Sequence, residues 1–300
     1  MKNIDVLCTG ASSYDFVFQV DHHPEIDEKT TAKSFDSCGG GPASNAALTV
    51  SKLGLASAYC GYLGRDAFGQ LHFEELEDAG VNTDLIIRGE AATPISAVWV
   101  KPGGERSLVN YRPPDSFLSS ADIDFSKIKL KVILFDGHEP EVSEYLINKS
   151  LFKDAVTILD AGSLNKGTSK LYNKVDYLIC SKKFAQQVTG EYDPQKAADK
   201  LYIENKNVVI TLSGSGLVWK TKDGSGILPA YQINAVDTTG AGDVFHGAFA
   251  YCTAVKMGWK EILAFSSAAA ALSCTKLGAR TSIPNKSEVD SLMQTAGPQL

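Results

Sequence analysis

Short apolar segments with the character of buried strands alternate along the chain with segments whose apolar residues recur at helical spacing. The strand-like runs occupy residues 4–8, 58–61, 132–135, 156–159, 177–180 and 208–212. Helical patterns lie between them at 45–53, 70–79, 141–149, 183–188 and 195–202. This alternation predicts an α/β fold with a mainly parallel central sheet and helices on both faces. Ligands of such folds bind beyond the carboxyl ends of the strands.

Two regions depart from this alternation and show the period-two pattern of half-buried strands. They lie around residues 14–36 and 95–112, and the second is interrupted by a turn at 102–104. The second region therefore predicts a hairpin. Plain edge strands are the alternative. With no internal repeat, low-complexity segment or interdomain linker, a single domain over residues 1–300 is expected, with these two regions as inserts.

Composition narrows the class of protein. A hydrophobic content of 44% over 300 residues is enough for a large core. The net charge is −6 and no block of basic residues occurs, which argues against nucleic acid or an anionic membrane as the main partner. The six cysteines form no C-x-x-C pair and no Cys/His cluster, so they are predicted to be reduced core residues. The apolar stretch near the start is too short for a signal sequence, and a cytoplasmic location is the default expectation.

The run 236–245 places a carboxylate behind a glycine-rich turn that leads into an apolar helix. Gly240 and Gly242 let the backbone turn tightly and bring N–H groups close to an anion, where the helix dipole also favours negative charge. Asp243 would lie in the first turn, where it could accept the proton of an attacking hydroxyl. The pattern predicts phosphoryl transfer, with the amides of Gly240, Ala241 and Gly242 as an anion hole. A turn that merely caps a buried helix is the alternative.

A second glycine-rich run at 39–45 precedes a helix of small residues. Its three glycines allow a ligand to approach the backbone, and Asn45 carries both a donor and an acceptor suited to sugar hydroxyls. A tight strand-to-helix connection in which Asn45 only caps the helix is the alternative. Neither run matches G-x-x-x-x-G-K-S/T, nor G-x-G-x-x-G after the first strand, so the phosphate-loop and dinucleotide interpretations lose support.

These two runs, in this order, resemble the two signatures of the ribokinase-like (PfkB) carbohydrate kinase family. The resemblance implies a three-layer α/β/α fold with a small β lid over the sugar. It also implies transfer of the ATP γ-phosphate to a primary hydroxyl of a sugar, with Mg²⁺ as cofactor and activation by K⁺ left open. The run 236–247 together with 274–280 particularly resembles ketose kinases of the family, including ketohexokinase-like and sulfofructose kinase-like members. Ribose and fructose both stay open as acceptors.

The resemblance also assigns roles to individual positions. Sugar ligands are expected at Asp15, Gly40, Gly41, Asn45, Asn110, His138 and Glu139. Nucleotide contacts are expected at Ser181, Thr211, Ser213, Gly214, Gly216 and Ser267. A monovalent cation is expected at Asp237, Thr239, Ser273, Lys276, Gly278 and Ser282, partly through backbone carbonyls. Structural roles are the alternatives: Asp15 could cap a turn, His138 could pair with Glu139, and Asn110 could be a solvated polar residue.

Two positions depart from the family pattern. Residues 181–184 read Ser-Lys-Lys-Phe where most members carry N-x-x-E, a motif associated with magnesium and phosphate, so the placement of Mg²⁺ is left open. Ser213 replaces one glycine of the turn expected against ATP.

Two other functions stay in consideration. A nucleoside kinase of the same fold would favour an aromatic sandwich near the lid, for which Phe16, Phe18 and Phe117 are available. A catalytically silent sugar-binding regulator could use the same cleft. A homodimer formed through the lid, common in the resembled family, is a further expectation.

Overall fold

A computed structural model describes residues 2–149, 152–202 and 206–295. The helices are α1 (Pro42–Lys52), α2 (Ala67–Asp78), α3 (Pro140–Asn148), α4 (Lys166–Leu171), α5 (Lys182–Thr189), α6 (Pro194–Leu201), α7 (Ala241–Ala254), α8 (Trp259–Ser273) and α9 (Lys286–Thr295). The strands are β1 (Lys2–Asn3), β2 (Val6–Thr9), β3 (Ser13–Gln19), β4 (Ser34–Gly40), β5 (Ser57–Cys60), β6 (Tyr62–Gly64), β7 (Ile87–Gly89), β8 (Ile95–Val100), β9 (Arg106–Tyr111), β10 (Ile128–Lys129), β11 (Val132–Phe135), β12 (Val156–Ala161), β13 (Tyr177–Ser181), β14 (Asn207–Thr211), β15 (Leu217–Thr221) and β16 (Gly224–Leu228).

The central sheet has eight strands in the order β16-β15-β14-β13-β12-β11-β2-β5. Its six strands from β14 to β5 pair in parallel, and β15 and β16 extend it as an antiparallel hairpin. All residues of β2 and β11 are buried, as expected for continuous apolar runs inside a parallel sheet. The predicted α/β fold with a mainly parallel sheet is confirmed.

Alternate residues of the central strands pack into two separate cores. Val6, Leu134 and Ile158 contribute to the core shared with α1, α7 and α8. Their neighbours Leu7 and Ile133 contribute to the core on the opposite face, which includes residues of α3 to α6. Because successive side chains of a strand point to opposite faces, the sheet lies between two helical layers.

The two inserts pair with each other and form a four-stranded sheet in the order β4-β3-β8-β9, called the lid below. Register places Asp15 opposite Ser96, and Ser96 opposite Asn110. The second strand of the first insert begins at Ser34, after an exposed loop rich in charged residues. The inserts are therefore a layer of their own and not edge strands of the central sheet.

Some of the observed helices and strands were not predicted from the sequence. Helix α4 has little apolar periodicity and depends on a capping box, in which the Asn165 side chain accepts from the Thr168 N–H and the Thr168 hydroxyl accepts from the Asn165 N–H. The hairpin of β15 and β16 was also missed. All six cysteines are buried and free. Within the described residues, every helix is too short or too polar to span a bilayer.

Candidate active site

A cleft of about 690 Å³ lies between the lid and the carboxyl ends of the central strands. Ligands of parallel α/β folds bind at this position. Asp15 lies on β3 of the lid, Asn45 on α1, Asp160 on β12, and Asp243 on α7, so four separate elements bring these side chains to one space.

The glycine-rich turn starts α7 in the way its sequence predicts. Gly240 has φ +77°, and a Cβ there would lie 2.9 Å from the Cβ of Ala279, so glycine is required on both conformational and steric grounds. A Cβ on Gly242 would meet only open cleft space. The N–H of Ala241 donates to the Thr238 carbonyl at 3.3 Å. In the described part of the chain, the N–H groups of Gly240 and Gly242 find no acceptor, which leaves donors for an anion.

Asp243 lies half-buried in the first turn of α7. Its Oδ2 accepts a hydrogen bond of 2.8 Å from Nδ2 of Asn45. Burial, with a further contribution from the negative charge of Asp160, raises the pKa of Asp243 to about 6, although the Asn45 hydrogen bond and the charge of Arg106 act in the opposite direction. A carboxylate with this pKa is ionised at neutral pH and can still accept a proton from a hydroxyl.

Asp15 faces the cleft from the lid and is only 6% exposed. The Ser13 hydroxyl donates to its Oδ1 at 2.6 Å. Burial raises the pKa of Asp15, and the hydrogen bonds from Ser13 and Ser96 act against the shift. A Cβ on Gly40 would lie 2.1 Å from Oδ2 of Asp15, so Gly40 gives room to this carboxylate and does not line the cleft itself. Gly41 lines the cleft and starts α1 at φ +101°.

The other three predicted sugar ligands, Asn110, His138 and Glu139, separate into two groups. Asn110 and His138 both line the cleft. Glu139 does not: its side chain is 1% exposed and forms an ion pair with Arg112, and its Oε2 accepts from the Leu118 N–H at 2.9 Å. Direct sugar binding by Glu139 therefore loses its basis, because the carboxylate is occupied inside the protein. Arg112 is also engaged there and stacks on the ring of Phe117 at 3.9 Å.

The opposite end of the cleft contains the whole predicted nucleotide set, Ser181, Thr211, Ser213, Gly214, Gly216 and Ser267. Ser213 has φ +53°, a left-handed conformation that explains why a glycine suits this position. A Cβ on Gly216 would lie 2.0 Å from the Leu228 carbonyl oxygen. The Ser181 hydroxyl caps α5 by accepting from the Phe184 N–H at 3.0 Å.

The residues predicted to surround a monovalent cation meet at a junction beside the start of α7. Asp237 Oδ1 accepts from the N–H and hydroxyl of Thr239, and its Oδ2 accepts from the Gly278 N–H at 2.9 Å. The Ser282 hydroxyl donates to the carbonyl of Ser273 and lies 3.3 Å from that of Gly278. Thr239 lines the cleft, and the side chain of Lys276 is exposed, so Lys276 could contribute only its carbonyl.

Sequence reasoning missed Asp160, at the end of β12. Its Oδ2 lies 3.2 Å from Nδ1 of His246, a cleft residue that was also missed and whose Nδ1 donates to the Gly242 carbonyl. Burial and the charge of Asp136 raise the pKa of Asp160 to about 7. Asp160 directly follows the predicted strand at 156–159, so the expectation that ligands bind beyond the carboxyl ends of the strands could have found it.

Asp136 and Arg106 complete the charged lining. Asp136 accepts hydrogen bonds from the N–H groups of Ala11, Ala43 and His138. Its carboxylate therefore connects the segments that follow β2 and β11 to the first turn of α1. Arg106 lies on the lid strand β9 and donates to the Thr238 carbonyl at 3.3 Å. Its charge opposes the rise in the pKa of both Asp15 and Asp243, so Arg106 faces the centre of the cleft.

The aromatic residues considered for a base-binding sandwich lie elsewhere. Phe16 and Phe18 alternate with Asp15 along β3 and therefore point to the outer face of the lid. There Phe16 packs against Phe68, and Phe18 against Phe35, with ring centroids 5.3 and 5.1 Å apart. Phe117 is 55% exposed beneath Arg112. None of the three lines the cleft within the described residues, which removes the sequence support for a nucleoside site.

Comparison with known proteins agrees with this geometry. The family described as pfkB family carbohydrate kinase matches residues 3–286. Fructokinase-2 of Oryza sativa subsp. japonica is 28% identical to the chain over an alignment of 322 positions, covering 97% of this chain and 94% of that protein. The ribokinase of Haemophilus influenzae is 26% identical over 306 residues, with 98% and 99% covered. The crystal structure of ribokinase from Thermotoga maritima superposes with a TM-score of 0.85 at 28% identity, covering 97% of this chain and 100% of that one.

Proposed function

The chain belongs to the PfkB family of carbohydrate kinases and is an ATP-dependent phosphotransferase, and from this premise we propose that it phosphorylates a primary hydroxyl of an uncharged sugar of the ketose or ribose type. The observation that carries the proposal is the position of Asp243. This carboxylate lies beside the open N–H groups of Gly240 and Gly242, in the same cleft as Asp15 and Asn45. A base, an anion site and sugar-binding groups thus share one space.

In the proposed mechanism, Asp15 and Asn45 orient the sugar so that its primary hydroxyl approaches Asp243. As the oxygen attacks the γ-phosphorus of ATP, its proton passes to Asp243 and the bond to the β,γ-bridging oxygen breaks, releasing ADP. The amides at the start of α7 and the guanidinium of Arg106 face the charge on the transferring phosphoryl group. The lid covers the cleft and limits the access of water, which would otherwise compete as acceptor.

Magnesium is expected because the family uses ATP, and the cleft contains a carboxylate that suits it. Burial and the negative charge of Asp136 raise the pKa of Asp160, and His246, whose own pKa is lowered by burial, lies 3.2 Å from its Oδ2. No cluster of three or more His, Cys, Asp or Glu side chains in the described residues forms a closed metal site. Mg²⁺ retains several waters and binds mainly to substrate phosphates, whose charge it offsets. Asp160 would hold those waters in place of the absent N-x-x-E motif.

A monovalent cation fits the junction beside α7 less directly. The carbonyls of Ser273 and Gly278 both lie at the Ser282 hydroxyl. Asp237 is 1% exposed, and among the described residues it accepts hydrogen bonds from neutral donors only. A K⁺ ion there would stabilise the loop that starts α7. The proposal of K⁺ activation rests on this arrangement together with the family resemblance.

The charges at the sugar end favour an uncharged acceptor. Among the described residues that line the cleft, Arg106 is the only lysine or arginine, and it lies above the start of α7. Arg112, which lies beside the cleft residue His138, is occupied by Glu139 and by the His138 carbonyl. A second anionic group on the sugar would therefore lack a fixed positive partner, which disfavours sugar phosphates and sulfonated sugars.

The proposal is tested by measuring ADP release with Mg-ATP and KCl across fructose, ribose, other ketoses, sugar phosphates, sulfonated sugars and nucleosides. We expect turnover with at least one uncharged sugar and little with charged ones. Turnover only with a nucleoside would establish the nucleoside kinase instead. Sugar binding without any ADP release would favour the silent regulator.

The pH dependence of kcat/KM follows from the pKa of Asp243. Only the ionised carboxylate accepts a proton, and the pKa is raised to about 6. We therefore expect kcat/KM to fall as the pH drops through about 6, with a slope of one on a logarithmic plot. A profile that stays flat down to pH 5 would contradict the assignment of Asp243 as base.

The outer face of the lid supports a homodimer. Exposed apolar side chains there include Phe35 (55%), Val109 (61%) and Tyr111 (56%), next to the aromatic cluster around Phe16. Exposed apolar side chains on the edge strands β4 and β9 are typical of a protein interface. We propose that a second copy of the lid covers them. Light scattering should give twice the chain mass of 32.1 kDa, and Val109→Asp should halve it. Because association stabilises the folded state, the unfolding temperature of the wild type should rise with protein concentration, whereas that of the variant should not. A wild-type protein that stays monomeric at micromolar concentration would contradict the dimer.

A further inference from the structure

A buried arginine outside the cleft donates a hydrogen bond to the side chain that contacts Asp243. Arg280 is 6% exposed and follows the loop beside the start of α7. Its Nε donates to Oδ1 of Asn45 at 3.0 Å, and its Nη1 donates to Glu75 at 2.7 Å. Its Nη2 lies 3.1 Å from the Ser44 hydroxyl and 2.6 Å from Nε2 of His72. One guanidinium thus joins helices α1 and α2 to the active-site loop.

Gly39, Glu75 and His72 surround this guanidinium and restrict its position. A Cβ on Gly39 would lie 2.2 Å from Nη1, so only glycine leaves room at that position of the lid strand β4. The N–H of Gly39 donates to the same Glu75 carboxylate oxygen that accepts from Arg280. Burial and the nearby charge of Arg280 lower the pKa of His72 well below its usual value, so His72 is neutral and its Nε2 accepts a hydrogen bond.

Donor and acceptor chemistry then fixes the amide of Asn45. A guanidinium can only donate and an ionised carboxylate can only accept, so the Asn45 oxygen must face Arg280 and its NH₂ group must face Asp243. Rotation of the amide by half a turn would set its oxygen against the Asp243 carboxylate and its NH₂ against Arg280. Both contacts would be repulsive. One N–H of Asn45 remains for the sugar, whereas its oxygen is already engaged.

We propose that Arg280 is a positioning residue for phosphoryl transfer, acting through the Asn45 amide on the orientation of Asp243. Its role rests on the proposed function of Asp243 as base. Arg280 itself contacts neither substrate, since it lies behind α1 and does not line the cleft. The alternative is that Arg280 only anchors its loop to the body of the protein.

Lys52 provides a matched control for loop anchoring. Its Nζ lies 3.2 Å from the carbonyl of Arg280 itself and 3.5 Å from that of Ile283, so it anchors the same segment from α1. Within the described residues, Lys52 forms no hydrogen bond or ion pair with Asn45 or Asp243. Loss of Lys52 should therefore reproduce the anchoring effect of Arg280 without its effect on the amide.

The experiment is a double-mutant cycle on kcat at saturating sugar and ATP, with Arg280→Met, Asn45→Ala and the double variant. Arg280→Met alone should lower kcat about 10- to 100-fold while the KM for ATP stays within about twofold. In the Asn45→Ala background the same substitution should change kcat less than about twofold, since there is no amide left to orient. Lys52→Met should lower the unfolding temperature and leave kcat near the wild-type value.

Each outcome decides between the two roles of Arg280. Equal losses of kcat in both backgrounds, or a loss of kcat with Lys52→Met as large as with Arg280→Met, would reduce Arg280 to a loop anchor. If Arg280→Met does not fold, Glu75→Gln takes its place in the cycle. This substitution removes the charged partner of the Arg280 guanidinium, and we expect the protein to tolerate it because the side chain at position 75 is partly exposed. Asp243→Asn separates the two proposals: activity retained there overturns the proposed function, whereas activity lost there with an additive cycle overturns only the role of Arg280.

Discussion

Replacing Asp243 with asparagine should lower kcat by at least about 10² to 10⁴, the range typical of general-base catalysis, while the dissociation constants of sugar and ATP change little. Asparagine has nearly the same shape, and its oxygen can still accept the hydrogen bond from Asn45. What it loses is the ability to take the proton of the attacking hydroxyl. Stopped assays of ADP formation and calorimetric titrations with sugar give the two quantities.

The same variant should be more stable than the wild type at neutral pH. Folding raises the pKa of Asp243 to about 6, so the folded protein holds the ionised carboxylate less favourably than the unfolded chain does. This cost is present at pH 7 and disappears below about pH 4, where the carboxyl is protonated in both states. The unfolding temperature of Asp243→Asn should therefore exceed that of the wild type at pH 7 and approach it at pH 4. A variant with lower stability and near-native turnover would remove Asp243 from the mechanism.

Gly242→Ala should give the second large loss, a reduction of about 10² to 10³ in kcat/KM for ATP. Gly242 lies in the first turn of α7, lines the cleft and has open space where a Cβ would project. The methyl group would enter the space in which the transferring phosphoryl group meets the amides, and loss of one such contact has an effect of this size. Because alanine favours a helix over glycine by about 0.5–1 kcal/mol, stability should be equal or higher.

Gly258→Ala is the control for this substitution. Gly258 precedes α8, a Cβ there would also meet open space, and it does not line the cleft. In the control, kcat/KM should stay close to the wild-type value, whereas the unfolding temperature should fall slightly, because alanine is a poorer N-cap residue than glycine. An active Gly242→Ala variant would show that the phosphate binds elsewhere.

Much of the fold could be predicted from the sequence because apolar periodicity and turn residues are features of short, continuous segments. Strand β11 is a continuous apolar run bounded by polar residues, and its predicted and observed limits agree. The lid hairpin was predicted from alternation around a glycine turn. Helix α4 was not, because Asn165 and Thr168 stabilise it through a cap and a six-residue helix presents too few positions for a period to show.

The site was partly accessible for the same reason. Glycine positions report on backbone geometry, and Gly240 and Gly41 both have the positive φ that their motifs suggest. Glu139 shows the limit of this approach, since only tertiary structure reveals that Arg112 occupies its carboxylate. Arg280 and Asn45 are 235 residues apart in sequence, and nothing local in the chain indicates their hydrogen bond.

Proton-coupled ³¹P NMR of the reaction with Mg-ATP and an accepted sugar tests the central claim most directly. Transfer to a primary hydroxyl predicts loss of the γ-phosphate resonance and growth of a phosphomonoester signal split into a triplet by the two protons of the CH₂ group, with no signal growth in Asp243→Asn. A doublet would place the phosphate on a secondary hydroxyl, and accumulation of inorganic phosphate alone would show that water is the acceptor. Either result would contradict the mechanism proposed for this cleft.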